Sequence, residues 1–235
     1  MTASRTSSAP PVLLIHGIAS STDALWRKAG WIEDLEAAGR VVIGIDLPGH
    51  GASKGVVDRD PVDLLLEEAS KYGSVDAIGF SIGAWVLLAA AGERPALFGR
   101  IAVLGAGDMV LTEELHAAAK QQPMAEALRS SGEPTDNPMA MAILAIITDA
   151  GNDRNAVADF ITADNRFPTI QDLSRIRAST LVVESNADPV GPSDLIARTI
   201  SNSERLVIDG AEHFELPTRA DCIAAVTSFI DKESR

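Results

Sequence analysis

Six short apolar runs punctuate the chain: Val12-Leu13-Leu14-Ile15, Val41-Val42-Ile43-Gly44-Ile45, Val75 to Ile78, Ile101-Ala102-Val103-Leu104, Leu181-Val182-Val183 and Leu206-Val207-Ile208. Continuous apolar runs of this length, rich in β-branched residues and bounded by turn formers, predict strands buried on both faces. Helical patterns lie between them. Ser20, Ser21 and Thr22 offer caps for a helix from about Asp23 to Ala38, stopped by Gly39. Pro61 opens a second to about Lys71 with Leu64, Leu65 and Leu66 turned inward, and a third runs from Trp85 to Ala91. Strands alternating with helices predict an α/β fold, a mostly parallel sheet of about six strands covered on both faces.

One interval is too long to be a crossover. Between Gly105 and Thr180 lie three or four helical segments and no strand-like run, broken at Pro123, Gly132 to Pro138, Gly151 and Pro168. This predicts a small helical cap over 108–175, inserted into a core formed by 1–107 and 176–235. Its most apolar part, Met139 to Ile147, has Met141, Ile143, Leu144, Ile146 and Ile147 on nearly every side of a helix. Such a helix is either wholly buried or lines an apolar pocket. The expected pocket residues are Met141, Leu144, Ile147 and Phe160, with Phe167 nearby.

Composition narrows the function. With 46% hydrophobic and 23% charged residues among 235, the chain reads as a soluble globular protein. A net charge of −13 argues against nucleic-acid partners and anionic membranes, which would repel it. Cys222 is the only cysteine, so neither an internal disulfide nor a cysteine metal cluster can form. It falls in the apolar pattern of the last helix with Ile223, Val226 and Phe229, as a small buried filler. Residues 1–10 lack the apolar core of a signal peptide, and no later run suits a bilayer span. The expectation is a cytoplasmic chain, monomer or homodimer, with no metal and no organic cofactor.

The chemistry centres on Gly79-Phe80-Ser81-Ile82-Gly83, a G-x-S-x-G pattern between an apolar run and a long apolar helix. In a sharp strand-to-helix turn the serine hydroxyl projects above the sheet, and its neighbours must be very small because other backbone crowds them. The Ile82 N–H then stands at a helix N-terminus, where negative charge is stabilised. A glycine-flanked serine can also open an ordinary helix, so the rest of the chain decides.

A serine at neutral pH needs a base, and the base needs an orienting group. His116 sits among Glu113, Glu114 and Lys120 and reads as a solvated side chain; His50, in Pro48-Gly49-His50-Gly51, reads as structural; His16 ends the first strand and suits loop shaping. His213 follows the last apolar run, where loop residues reach such a site. Asp188 occupies the matching place after the preceding run, in Asn186-Ala187-Asp188-Pro189. Ser81, Asp188 and His213 thus run in the order Ser, Asp, His along successive strand ends. Asp108, after the central run in Gly105-Ala106-Gly107-Asp108, is the alternative acid.

On these residues, with His16-Gly17 and the Asp46 to Gly51 loop, the chain resembles the α/β-hydrolase fold family, in its small capped esterase-like branch, over almost its whole length. The resemblance implies Ser81 as nucleophile, His213 as general base and then acid, Asp188 as orienting acid, and an oxyanion hole from the N–H groups of Ile18 and Ile82. Two departures stand out: only about ten polar residues precede Val12, so the family's N-terminal hairpin is expected to be missing, and the bulky Trp85 follows Ala84. The implied activity is hydrolysis of a small-molecule carboxylic ester with a small to medium apolar acyl group through an acyl-enzyme. The same constellation also serves thioester, lactone, carbon–carbon bond and cyanohydrin cleavage, or a ligand-binding receptor with a vestigial triad.

Overall fold

The six apolar runs become six strands in the computed structural model, which describes residues 9–53, 57–112, 122–130 and 138–232. These are β1 (Val12–Ile15), β2 (Val42–Ile45), β3 (Val75–Phe80), β4 (Phe98–Leu104), β5 (Ser179–Ser185) and β6 (Ser203–Ile208). Their order across the sheet is β2-β1-β3-β4-β5-β6, and every pairing is parallel. Alternate residues of a strand face opposite sides. Accordingly Leu13, Ile15, Ile101 and Val103 enter one apolar cluster, while Val12, Leu14, Ala102 and Leu104 enter the other. The edge strands depart from the expectation of full burial: β2 is half-covered with Gly44 exposed, and in β6 Val207 is exposed. Each edge strand has a neighbour on one side only, so fewer helices reach over it.

Described helices are α1 (Trp31–Ala37), α2 (Pro61–Ser70), α3 (Ile82–Glu93), α4 (Gln122–Arg129), α5 (Pro138–Ala150), α6 (Arg154–Thr162), α7 (Ile170–Arg175), α8 (Asp194–Thr199) and α9 (Ala220–Ile230). The helix expected from Asp23 to Ala38 is in fact two pieces, a π-helical turn over Thr22–Arg27 and α1. Gly30 separates them at φ +87°, a left-handed conformation that glycine adopts without steric penalty. The break lets Trp26 and Trp31, both fully buried, meet edge to face with ring centroids 5.3 Å apart. One contiguous pattern of apolar residues therefore served two packed elements.

The sheet order reverses direction between β1 and β3. Chain leaving β1 goes outward to β2, while chain entering β3 continues the other way, so a crevice opens above the carboxyl ends of β1 and β3. Such switch points are where open α/β sheets hold ligands. Helices α4, α5 and α6 have their own apolar cluster, including Leu128, Ile143, Ile147 and Val157, and the core contributes Ala19 to it. Among the described residues, no helix is long and apolar enough to cross a membrane. His116 lies outside the described residues.

The opposite end of the sheet is held by Arg40. Its guanidinium pairs with Asp76 and donates to the Pro10 and Ile230 carbonyls and to Asp231, joining the start of the sheet to the end of α9. Both Arg40 and Asp76 are buried. Removing one partner leaves an uncompensated buried charge, so Arg40→Leu should lower unfolding free energy by about 3–5 kcal/mol in chemical denaturation. A loss below about 1 kcal/mol would show the pair to be incidental.

Candidate active site

At the carboxyl end of β3 the chain turns into α3 through Ser81, whose φ of +54° and ψ of −120° no ordinary strand or helix uses. The turn is enforced by close packing. A Cβ on Gly79 would lie 2.5 Å from the Gly83 carbonyl oxygen, and one on Gly83 would lie 2.5 Å from the His16 carbonyl oxygen and closer still to that of Ile15. Any side chain at either position would lever α3 off the sheet. The Ser81 N–H still donates to the Leu104 carbonyl at 2.8 Å, so the strained residue remains tied to β4. Ile82 is the first residue of α3, and the first N–H groups of a helix have no intrahelical acceptor.

Three sequence-assigned side chains meet here. His213 Nδ1 lies 2.7 Å from Asp188 Oδ2, and His213 Nε2 lies 2.9 Å from Ser81 Oγ. A carboxylate only accepts, so Nδ1 carries the proton and Nε2 is left as the acceptor for the Ser81 hydroxyl. All three residues are buried, and the Phe80 and Phe214 rings lie 5.0 and 5.1 Å from the imidazole. The other Asp188 oxygen accepts the Val190 N–H at 2.8 Å, which fixes the carboxylate plane.

Asp108 is engaged elsewhere. Its two oxygens accept the N–H groups of Leu195 and Ile196 at 2.8 and 2.9 Å, capping α8 from a distant part of the chain. Its own N–H donates to the Pro192 carbonyl, so it buttresses the loop that carries Asp188. Trp85, the bulky residue after Ala84, donates from Nε1 to the Ala106 carbonyl at 2.7 Å and tilts against Phe167.

His16 and His50 cross-link the loops after β1 and β2 reciprocally. His16 Nε2 accepts the Leu47 N–H at 3.0 Å, and His50 Nε2 accepts the Ala19 N–H at 3.0 Å. Their Nδ1 atoms then donate to the carbonyls of Gly17 and Pro48. Both imidazoles are fully buried and neutral. Burial lowers the His16 pKa against the opposing pull of the Gly17 carbonyl and Asp46. Burial and the His16 ring take His50 from its ordinary 6.5 down to about 3. Cys222 is likewise inert, its buried thiol pushed up to about 12.

The loop after β1 runs beside Ser81. A Cβ on Gly17 would sit 3.4 Å from Ser81 Cβ. Ala19 holds a left-handed φ of +66° although it is not glycine, a conformation that costs about 1–2 kcal/mol. Motif reading passed over Asn152, which spans the gap between this loop and the Pro48 to Gly51 turn. It carried no motif signal, because its partners are more than a hundred residues away.

A cavity of about 660 Å³, walled by Ile18, Leu25, Phe80, Ala145, Ile146 and Phe214 among others, adjoins the site through Phe80 and Phe214, whose rings pack on His213; Ser81, Asp188 and His213 are not themselves among its walls. Lys28 and Asp149 also line it, ion-paired at 2.8 Å. The expected pocket residues are placed otherwise. Met141 is exposed, Leu144 and Ile147 pack in the cluster with α4 and α6, and Phe160 is buried edge-on against the His50 ring at 5.1 Å. Helix α5 does wall the cavity, but with the face carrying Ala145, Ile146 and Asp149. An all-round apolar helix cannot reveal which side faces a void.

The two histidines generate a pH prediction. The unfolded chain protonates them below about 6.5 whereas the folded chain keeps His50 neutral to about 3, so stability is full above 6.5 and falls as pH drops. His50 alone should contribute a slope of about 1.4 kcal/mol per pH unit across that window. His50→Leu should be less stable than wild type at about pH 7.5, through the orphaned Ala19 N–H, yet lose less on acidification to about pH 5. Equal pH slopes in chemical denaturation of both proteins would contradict the assignment.

Comparison with known proteins agrees with this architecture. Residues 10–155 match the family model for the alpha/beta hydrolase fold. The chain is 27% identical over 203 residues to "Putative protein-lysine deacylase ABHD14B" of Rattus norvegicus, covering 86% of this chain and 73% of that protein. Among solved structures, MenH from S. aureus superposes with a TM-score of 0.78 at 18% identity, over 97% of this chain and 96% of that one. Est816, described as an N-acyl homoserine lactone degrading enzyme, superposes with a TM-score of 0.68 at 21% identity, over 94% and 93%. With the family model spanning the Ser81 turn, the cross-linked loops and much of the sheet, the chain belongs to the alpha/beta hydrolase fold family.

Proposed function

We propose that this protein is a serine hydrolase that cleaves a carboxylic ester through an acyl-enzyme. The observation that carries the reading is the continuous hydrogen-bond relay from Ser81 Oγ to His213 and on to Asp188, set on a strained strand-to-helix turn. As Oγ attacks the acyl carbon, His213 Nε2 takes its proton, and Asp188 stabilises the imidazolium through Nδ1. The carbonyl oxygen becomes an oxyanion between the N–H groups of Ile82 and Ile18, each contributing about 3 kcal/mol to the transition state. Collapse expels the alcohol, which receives the proton from His213. Water then attacks the acyl carbon with His213 again as base, and the acid and free Ser81 are released.

The cavity supports an apolar acyl group of small to medium size, since 660 Å³ falls in the range of small-molecule sites and its walls are mainly aliphatic and aromatic. A second reading is an amide of the same kind, an acylated lysine, favoured by the deacylase name of the rat relative. It uses the same steps with an amine as the leaving group.

Ser81→Ala should abolish ester turnover and fluorophosphonate labelling while leaving the fold intact; labelling at another serine would refute the nucleophile. Asp188→Asn should lower kcat by about ten-thousand-fold, because the amide favours the wrong imidazole tautomer. Asp108→Asn should instead cost about 1 kcal/mol of stability through a weakened cap, with kcat/KM nearly unchanged. The reverse ranking would make Asp108 the acid.

Chain-length preference tests the cavity. Across p-nitrophenyl esters from acetate to octanoate, Ala145→Leu should shift the optimum of kcat/KM to shorter acyl groups and Ile146→Ala to longer ones. The shift should be graded, about 1–3 kcal/mol per methylene. Leu144→Ala, packed away from the cavity, should lower stability without moving the optimum. An unmoved optimum in both cavity variants would place the acyl group elsewhere.

A further inference from the structure

Ala19 and Ser20 present carbonyl oxygens to a single side-chain amide. Asn152 Nδ2 donates to Ala19 O at 2.7 Å and to Ser20 O at 2.8 Å, while Oδ1 accepts the Gly51 N–H at 2.8 Å. Two carbonyls on one side and an N–H on the other admit one amide orientation. Asn152 lies in the turn between α5 and α6, two residues after α5 ends at Ala150. It is thus a residue of the cap-like helices gripping a loop of the core, between the two loops that His16 and His50 already cross-link.

The grip falls on the segment that needs it. Ala19 is held at φ +66°, its N–H bound to His50, its carbonyl bound to Asn152 and its methyl packed in the cluster of α4, α5 and α6. Ile18 immediately precedes it: Ala19 fixes the 18–19 peptide that carries the Ile18 carbonyl, and through the Ile18 Cα that peptide constrains the one that carries the Ile18 N–H. A left-handed alanine persists only where its surroundings over-determine it. Remove one tie and the residue can relax toward negative φ, swinging the adjoining peptide.

We propose that Asn152 is a positioning residue for the oxyanion loop, aiming the Ile18 N–H at the acyl oxygen and coupling that aim to the helix that walls the substrate cavity. The coupling is direct in sequence: Ala145, Ile146 and Asp149 line the cavity, and Asn152 is three residues beyond Asp149. A substrate that seats well against α5 thereby fixes the brace of the oxyanion hole, and one that displaces α5 loosens it. The proposal rests on the serine hydrolase reading for its kinetic consequence, whereas the brace itself can be observed without substrate.

Two variants test it. Asn152→Ala removes all three hydrogen bonds. Asn152→Asp is nearly isosteric and keeps the acceptor for Gly51, but turns a carboxylate oxygen toward two carbonyls; it carries the test if the alanine variant folds poorly. Both should lower kcat on an activated acetate ester by about tenfold or more with KM within about twofold, because donor alignment matters more in the transition state than in the bound ester. Amide hydrogen exchange of the full chain should accelerate over residues 17–20 and stay unchanged in β4 and β5. Unchanged exchange over 17–20 in both variants, or kcat within about twofold of wild type, would overturn the positioning role. A wild-type protein whose Ser81 never acylates would refute the hydrolase reading, and the exchange data would still decide the brace.

Discussion

The structure depends on one close approach of backbone to backbone, where Gly83 in the first turn of α3 rests against the carbonyls of Ile15 and His16 at the end of β1. No side chain fits between them. The contact presses the start of α3 onto β1, the strand that feeds the loop beside Ser81, so Ser81 and that loop are placed by the same packing event. Gly79 makes the complementary approach from the other side of the turn, against Gly83 itself. Ser81 is left with a conformation that a free chain would abandon, and both flanking glycines keep it there.

Around that contact the loops are tied by side chains whose ring nitrogens are all engaged with backbone. His16 and His50 exchange backbone N–H groups between the first two strand ends, and their burial keeps them neutral at pH values where a solvated histidine begins to protonate. A neutral imidazole can accept from one nitrogen and donate from the other, which suits a cross-link between two loops with unsatisfied backbone. Asn152 adds the third tie from α5 and α6, and the exposed Lys28–Asp149 pair adds a weaker one. The cavity wall and the loop beside Ser81 are therefore parts of one hydrogen-bonded assembly.

The two candidate acids are separated by what else each carboxylate has to do. Asp108 has its lone pairs committed to the first turn of α8, whereas Asp188 offers one oxygen to His213 and uses the other to fix its own loop. A division of labour follows, in which one carboxylate supports the loop and its neighbour faces His213. Glu184, buried in β5, makes a comparable structural contribution by accepting the Ser193 N–H and pairing with Arg205.

Much of this was legible in the chain itself. The strands, their parallel arrangement, the serine turn and the Ser81, Asp188, His213 order are local or ordinal properties: a short β-branched apolar run bounded by turn formers reads as a strand, and glycines two residues either side of a serine mark a crowded turn. What the sequence could not decide was everything that depends on facing. It could not say that Gly30 splits one apolar pattern into two elements around a tryptophan pair, or that β2 and β6 are half-covered edges. It could not choose which flank of an all-round apolar α5 meets the cavity, so Ile147 and Phe160 went to packing while Ala145 and Ile146 became wall. Nor could it find Asn152, whose three partners lie more than a hundred residues away. Local periodicity and residue order determine which elements exist, but only tertiary packing brings distant groups within the few ångströms over which hydrogen bonds, burial and steric exclusion act.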